Sequence, residues 1–357
     1  MPVIPVKKLS IGAKLAEDVH TPLGGLLFTK GTLISEKEME LLDVFQVREV
    51  DVEEMDSSRT EEKTETEKPK PNAGTQKQHD FQALFEKATA SLKALMLPVQ
   101  GGQQNIPVME VRVAITPVLQ QVHEQPNLLL TLQNLSRIDS YPHEHAIAVG
   151  LLSYTIAKWL KVPEKEWMQI ALAGTLLDVG KTRIDRKILQ KPGKLTAEEF
   201  EEIKKHTVYG YQLLKASPGL NEGVALAALQ HHEREDGSGY PLGLKGNKLH
   251  LYSKITAVAD VYHAMSSERV YKKGLSPYLV AEQLIQDSFG KLDPTIVHTF
   301  VRGITQFSVG TAVELSDGTF GKIIFTDRNH PTRPMVEANG RIINLAEARH
   351  LSIVKVI

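Results

Sequence analysis

The residues most suited to chemistry in this 357-residue chain are histidines and aspartates in its middle part. His231 and His232 are adjacent, and Asp178 directly follows an apolar run in the stretch Leu177–Lys181. Imidazole nitrogens and carboxylate oxygens are the ligands that divalent metals use when they assist phosphoester hydrolysis. Because burying a carboxylate without a partner is costly, an aspartate inside an apolar helix itself indicates a ligand. The candidate metal ligands are His145, Asp178, His206, His231, His232 and Asp260.

Helices predicted from apolar periodicity position these side chains. Apolar residues recur at helical spacing over 146–160, directly after His145, and the apolar helix of 168–177 leads into Asp178. A single inward-facing histidine on a helix is more often part of a core than a ligand. Six such groups in one helical region, two of them adjacent, favour a metal centre instead.

The pattern of apolar residues divides the chain into four parts. Short β-like runs and one helical stretch indicate a small α+β module over 1–55. Residues 56–80 are rich in Glu, Lys, Thr and Pro, which predicts a disordered charged linker. Helical periodicity over 81–306 predicts an all-helical domain. Alternation with an Asn-Gly turn predicts a small β-rich module over 307–357, so the fold class is mainly α.

Composition excludes several kinds of partner and site. The net charge of −1 gives no general attraction to nucleic acid or anionic membranes, so any anion must be bound locally. The absence of cysteine excludes disulfides, thiolate ligands and a cysteine nucleophile. The chain start lacks a signal-peptide pattern, and no run approaches the roughly 18 apolar residues of a membrane helix. We therefore expect a soluble, cytoplasmic protein with no polymeric nucleic acid and no membrane among its partners.

Longer motifs carry a resemblance to a known family. They are His231–Pro241 (His-His-Glu-Arg-Glu-Asp-Gly-Ser-Gly-Tyr-Pro), Lys191–Thr196 and Val258–Tyr262. Over about 130–301 the sequence resembles the HD-GYP family, metal-dependent phosphodiesterases of the HD superfamily that cleave cyclic di-GMP. The resemblance implies an all-helical HD-type bundle with two divalent transition-metal ions, Fe or Mn, bridged by Asp178. All six candidate ligands match the family's metal ligands.

The resemblance also implies roles in catalysis and substrate binding. Asp178 and Lys181 would act in catalysis. Lys and Arg side chains beside a phosphate supply charge-assisted hydrogen bonds that strengthen as charge develops in the transition state. The implied substrate-binding residues are Lys181, Arg269, Lys272, Gly239, Tyr240 and Pro241.

The sequence departs from the family at three positions. Leu177 stands where the family has the histidine of its His-Asp motif, so one ion loses a ligand and would be held weakly. The ligands left to that ion are His145, Asp178 and Asp260. His263, where the family usually has an aspartate, lies on the same helix face as Asp260 and is a further candidate ligand. Tyr141 stands where some members carry a glutamate associated with a third metal, which favours two ions.

Three functions are compatible with these residues. The first is hydrolysis of cyclic di-GMP to linear pGpG, with a further cut to GMP left open. The second is a degenerate receptor that binds cyclic di-GMP without cleaving it and signals through the flanking modules. The third is hydrolysis of another cyclic dinucleotide or nucleotide. Leu177 favours the receptor, whereas the otherwise complete ligand set favours the enzyme, our leading hypothesis. The loop Asp236–Pro241 is also a candidate contact for a signalling protein.

Overall fold

The computed structural model describes most of the chain outside its N-terminal module and linker. The described residues are 3–6, 9–20, 26–28, 30–35, 38–39, 42, 47–52, 73–122, 128–135, 141–267, 274–305, 310–327 and 329–356. They fall into two compact units, which are Met1–Lys70 with Glu337–Ile343, and Pro71–Val336 with Asn344–Ile357. None of the helices in these ranges is both long enough and apolar enough to cross a bilayer.

The smaller unit contains two short antiparallel strand pairs. β1 (Val3–Pro5) pairs with β4 (Glu49–Asp51), and β2 (Val19–His20) pairs with β3 (Leu26–Phe28). Apolar side chains around the fully buried Leu15 form a separate core. Most of the helical stretch expected in this module lies outside the described residues.

Helices make up most of the larger unit, as the mainly α fold class requires. Their bounds are α1 (Ala73–Gln100), α2 (Val108–Gln121), α3 (Leu128–Leu135), α4 (Tyr141–Trp159), α5 (Glu164–Leu176), α6 (Arg186–Leu189), α7 (Ala197–Lys204), α8 (His206–Lys215), α9 (Glu222–Gln230), α10 (Leu251–Ser266), α11 (Pro277–Asp287) and α12 (Pro294–Thr305). Short 3₁₀ helices cover Val179–Arg183 and Gly246–Lys248. The helices enclose one continuous hydrophobic core.

The linker predicted for 56–80 overlaps a helix at its C-terminal end. α1 begins at Ala73, and among its described side chains Phe81 and Phe85 are buried. Packing of this apolar face stabilises the helix, which then extends backwards through polar residues that show no periodicity of their own. Residues 53–72 lie outside the described residues, so their disorder stays a prediction.

We expect limited trypsin digestion to cut first within 56–72, where Arg59 and Lys63 are not followed by proline. A segment with so few apolar side chains cannot offset the entropy of ordering, so it should be open to protease. Mass spectrometry of the early fragments would locate the cuts, and the larger fragment should still bind nucleotide. Early cutting elsewhere, with 56–72 left intact, would contradict the prediction.

The first two helices that carry predicted ligands cross at glycines. At the crossing of α4 and α5, a Cβ atom on Gly174 would lie 3.0 Å from Gly150 Cα and 2.7 Å from Val149 O. No larger residue fits between backbones this close. The crossing brings the start of α4, with His145, towards the end of α5, two residues before Asp178.

The C-terminal strands form a five-stranded sheet in the order β8-β7-β6-β5-β9. Their bounds are β5 (Ala312–Leu315), β6 (Phe320–Phe325), β7 (Met335–Ala338), β8 (Arg341–Asn344) and β9 (Ile353–Val356). Between β7 and β8, Asn339 and Gly340 have φ values of 52° and 70°. A type I′ hairpin turn needs positive φ at both central residues, so the predicted Asn-Gly turn is confirmed.

Candidate metal centre

Four predicted ligands from separate elements form a tight group, called here the four-ligand group. One ligand atom from each of its members lies within 4.8 Å of the others. The members are Asp178, His206, His231 and His232. His206 Nε2 lies 3.3 Å from Asp178 Oδ1 and 3.4 Å from His231 Nε2. Asp178 precedes the 3₁₀ helix of Val179–Arg183, His206 begins α8, and the histidine pair follows α9.

Backbone carbonyls fix the rings of two of these histidines. Nδ1 of His206 lies 2.6 Å from Ile203 O, and Nδ1 of His231 lies 3.0 Å from Ala228 O. A carbonyl oxygen can only accept a hydrogen bond, so both Nδ1 atoms donate. In the neutral rings both Nε2 atoms therefore present lone pairs to each other and to Asp178.

This convergence of electron-rich atoms fits a metal cation. The two Nε2 atoms have no proton between them, and Asp178 Oδ1 is buried without a hydrogen-bond partner among the described residues. Atoms of this kind repel one another unless a cation neutralises them. Imidazole nitrogens with a carboxylate oxygen form a donor set suited to Fe, Mn or Zn.

The protonation states of the group also suit metal binding. Burial alone would raise the pKa of the Asp178 carboxyl. The Lys181 ammonium, 2.6 Å from Oδ2, outweighs burial and holds that pKa well below its usual range. Burial and the neighbouring His231 lower the pKa of His232 to about 2. An ionised carboxylate and neutral imidazoles are the forms that bind metal.

The remaining two ligands, His145 and Asp260, form a second set, called here the His145–Asp260 pair. His145 Nε2 lies 3.0 Å from Asp260 Oδ1, and both residues line the same cavity as Asp178. Burial alone would raise the pKa of Asp260, but the hydrogen bond from His145 outweighs burial and lowers it. The pair lies outside the tight four-ligand group.

Two departures from the family motif are buried side chains. Leu177 is 2% exposed and packs in the hydrophobic core. His263 is also 2% exposed, and its Nδ1 lies 2.9 Å from Nδ1 of His145. Neither residue is among the described residues that line the cavity. His263 therefore contacts a candidate ligand directly, and its own role as a ligand stays a prediction.

The cavity beside these ligands has a volume of about 760 Å³. Lys181 and Arg186 supply positive charge to its lining. One wall comes from α1, through Leu92, Met96 and Gln100, and Arg186 Nη2 donates to Gln100 Oε1 over 3.1 Å. The α1 residues were missed from the sequence, since a buried leucine and methionine on a helix look like ordinary core positions.

The loop residues predicted to bind substrate pack against His232. Tyr240 stacks on His232 with ring centroids 4.6 Å apart. A Cβ on Gly239 would lie 2.4 Å from His232 O, so only glycine allows this close approach. Gly239, Tyr240 and Pro241 are not among the described residues that line this cavity, and their role as substrate contacts stays a prediction. Their packing orients His232.

A buried carboxylate that the sequence did not single out anchors the same loop. Glu233 is 2% exposed and accepts hydrogen bonds from Leu242 N and Leu244 N at 2.7 and 3.0 Å. Its position directly after two histidines was the feature of the sequence that could have drawn attention to it. The predicted substrate contacts Arg269 and Lys272 lie outside the described residues.

Comparison with known proteins identifies the segment that carries the ligands. A cyclic di-GMP phosphodiesterase of Pseudomonas aeruginosa is 33% identical over 241 residues, which are 68% of this chain and 58% of the relative. A cyclic di-GMP phosphodiesterase of Thermotoga maritima is 43% identical, covering 46% of this chain and 45% of the relative. A 3′3′-cGAMP-specific phosphodiesterase of Vibrio cholerae is 35% identical, covering 46% of this chain and 31% of the relative. The chain thus spans about half the length of these curated relatives, or less. Residues 127–296, which contain all six predicted ligands, match the model of the HD domain.

Proposed function

We propose that this protein is a metal-dependent phosphodiesterase that hydrolyses a cyclic dinucleotide, with cyclic di-GMP as the leading substrate. The observation that carries the proposal is the convergence of Asp178 Oδ1 with the Nε2 lone pairs of His206 and His231 beside a 760 Å³ cavity. This volume is within the range of small-molecule sites, about 300–1,000 Å³. The relatives named for cyclic di-GMP and 3′3′-cGAMP support a cyclic dinucleotide as the substrate class.

Each set of ligands would hold one ion. The four-ligand group would hold the first, and the His145–Asp260 pair with Asp178 would hold the second. When bound, such ions supply positive charge that lowers the pKa of water and stabilises charge developing on a phosphate. We propose Fe or Mn, because the donors are imidazole nitrogens and carboxylate oxygens.

Lys181 would bind the phosphate whose ester bond is cleaved. Its ammonium pairs with Asp178 and lines the cavity, so a phosphate beside Asp178 would come within its reach. A charge-assisted hydrogen bond from Lys181 strengthens as negative charge develops on a phosphate oxygen. Arg186 would contact the substrate farther along the cavity. Similar roles for Arg269 and Lys272 rest on the family resemblance alone.

The proposed reaction opens one phosphodiester of the ring. The oxygen of a water molecule bonds to phosphorus, the bond from phosphorus to the ribose 3′ oxygen breaks, and that oxygen takes up a proton. The product is the linear dinucleotide pGpG. A second cut of the same kind would give GMP.

A degenerate receptor for cyclic di-GMP is the second candidate function. The burial of Leu177 in the core favours it, because the His145–Asp260 pair then lacks a ligand that the family motif would supply. The purified chain should be incubated with Mn²⁺ or Fe²⁺ and cyclic di-GMP, with products separated by chromatography and binding measured by calorimetry. Formation of pGpG supports the enzyme. Binding without turnover overturns it in favour of the receptor, and parallel assays with 3′3′-cGAMP test the choice of substrate.

We expect one tightly held and one weakly held ion per chain. The four-ligand group has its rings fixed by carbonyls, whereas the His145–Asp260 pair is short of a ligand. Elemental analysis before and after dialysis against a mild chelator would count the ions of each kind. Finding no ion even after reconstitution with Mn²⁺ or Fe²⁺ would rule out a metalloenzyme, and two equally tight ions would contradict the inequality.

We also propose that the loop Asp236–Pro241 contacts a signalling protein and that the protein acts in the cytoplasm. The exposed Leu242, directly after the loop, provides an apolar contact for such a partner. Exchanging Leu242 for aspartate should weaken binding of that partner without changing ion content.

A further inference from the structure

We infer that His263 is a positioning residue whose imidazole allows His145 to carry its lone pair either on Nε2, facing the ion, or on Nδ1, facing His263. This inference rests on the proposed function in one respect, namely that the His145–Asp260 pair holds an ion. His263 would then keep that ion weaker than a carboxylate at the same position would.

The contact lies on the side of His145 that faces away from the cavity. His145 Nε2 points to Asp260, 3.0 Å away, whereas Nδ1 lies 2.9 Å from Nδ1 of His263. Both histidines are buried, at 7% and 2% exposure. His263 thus contacts the ring of a predicted ligand from behind.

A hydrogen bond between two Nδ1 atoms needs one proton, and either ring can supply it. If Nδ1 of His145 donates, Nε2 of His145 presents a lone pair and can bind an ion. His263 then carries its proton on Nε2; the buried Ser267 Oγ lies 3.3 Å from that nitrogen and 3.2 Å from Nδ1, so it contacts both ring nitrogens. This arrangement is the ion-binding tautomer of His145.

The opposite arrangement is favoured while no ion is bound, because Nε2 of His145 then donates to Asp260. Nδ1 of His263 donates to Nδ1 of His145, and Nε2 of His145 then carries a proton. That proton is donated to Asp260 Oδ1, 3.0 Å away, so neither Nε2 of His145 nor Oδ1 of Asp260 is free to bind an ion. Ion binding must therefore shift the tautomer of both rings, which costs affinity.

The four-ligand group shows the contrast within the same protein. Nδ1 of His206 and Nδ1 of His231 face backbone carbonyls, which only accept, so their Nε2 lone pairs are permanently available. A carboxylate behind His145 would likewise only accept, whereas imidazole does both. The difference in ion affinity between the two sites therefore depends partly on the groups that hydrogen-bond to Nδ1 of the histidine ligands.

The test compares two substitutions at position 263, His263→Asp and His263→Asn, in the full-length chain. Oδ1 of either residue is as many bonds from Cα as Nδ1 of histidine, so each can reach His145. Aspartate only accepts and should lock the ion-binding tautomer, whereas asparagine both donates and accepts and should resemble histidine. His350→Asp, at an exposed position in the C-terminal region, matches the change of charge without touching the site.

Two measurements decide the question. In Mn²⁺ titrations, His263→Asp should tighten the weaker ion about tenfold, within the range for partners behind metal ligands, and leave the tighter ion unchanged. In ¹⁵N NMR without metal, Nδ1 of His145 should become protonated in His263→Asp, whether or not Nε2 keeps its proton, but not in His263→Asn or His350→Asp.

Failure of this inference is distinguishable from failure of the proposed function. An unchanged His145 tautomer in folded His263→Asp, or an equal shift in His263→Asn, overturns the role of His263 whatever the enzyme does. A shifted tautomer with tighter Mn²⁺ supports that role even if cyclic di-GMP is not cleaved. If His263→Asp does not fold, His263→Asn still decides, since loss of the wild-type tautomer there overturns the inference.

Discussion

Asp178→Ala is expected to abolish both ion binding and phosphodiesterase turnover. Asp178 Oδ1 faces His206 and His231, and Oδ2 pairs with Lys181. One substitution therefore removes a ligand and also removes the partner that holds the Lys181 ammonium. In the proposed two-ion arrangement this carboxylate serves both ions. We expect turnover of cyclic di-GMP to fall by roughly a thousandfold or more. Steady-state rates and elemental analysis of the same preparation would measure both losses.

Asp317→Ala is the matched control for this substitution. Asp317 is an exposed aspartate in the turn between β5 and β6, where its carboxylate accepts from Thr319 N. Its removal should leave ion content and turnover at wild-type values. Full activity of Asp178→Ala, with circular dichroism like that of the wild type, would show that the active site lies elsewhere.

Leu177→His is expected to increase turnover about tenfold and to tighten the weaker ion by a similar factor. The substitution restores the histidine of the family motif directly beside Asp178. The gain is expected if His263, whose Nδ1 contacts Nδ1 of His145, does not already serve as a ligand; if it does, Leu177→His should change turnover little. Binding of cyclic di-GMP should change less than turnover, since a restored ligand improves water activation more than contacts to the bases. Rates and Mn²⁺ affinity should be measured together.

Leu172→His separates this gain from the cost of a buried histidine. Leu172 is fully buried in the same helix. An imidazole there has no ion to bind, so it should lower the free energy of unfolding by about 1–3 kcal/mol and leave turnover unchanged. If folded Leu177→His shows neither a tighter ion nor faster turnover, Leu177 does not stand at an ion site.

The ligands could be predicted from the sequence because chemistry and periodicity coincide at them. Asp178 follows an apolar helix, and His231 and His232 are adjacent, so each was conspicuous without a structure. The helical centre and the Asn339-Gly340 hairpin were predictable for the same reason, since both rest on local patterns.

Contacts between distant segments could not be predicted in the same way. No local pattern shows that Nδ1 of His263 meets Nδ1 of His145, which is 118 residues away in the chain. The loop residue Tyr240 was expected to contact substrate because aromatic rings often stack on bases. In the structure its ring stacks on that of His232, and this stacking depends on the close approach of the backbone at Gly239.

The wall that α1 contributes to the cavity sets a limit on where the segment with the candidate ligands can be joined to other proteins. The match to the HD domain begins at residue 127, but Arg183 donates to Gln103 O and Arg186 donates to Gln100 Oε1, both ahead of that point. A chimaera joined at residue 127 would inherit every ion ligand and still lack one side of its substrate chamber. Such a fusion should retain metal yet handle its dinucleotide poorly. Gene fusions are therefore better joined ahead of Ala73.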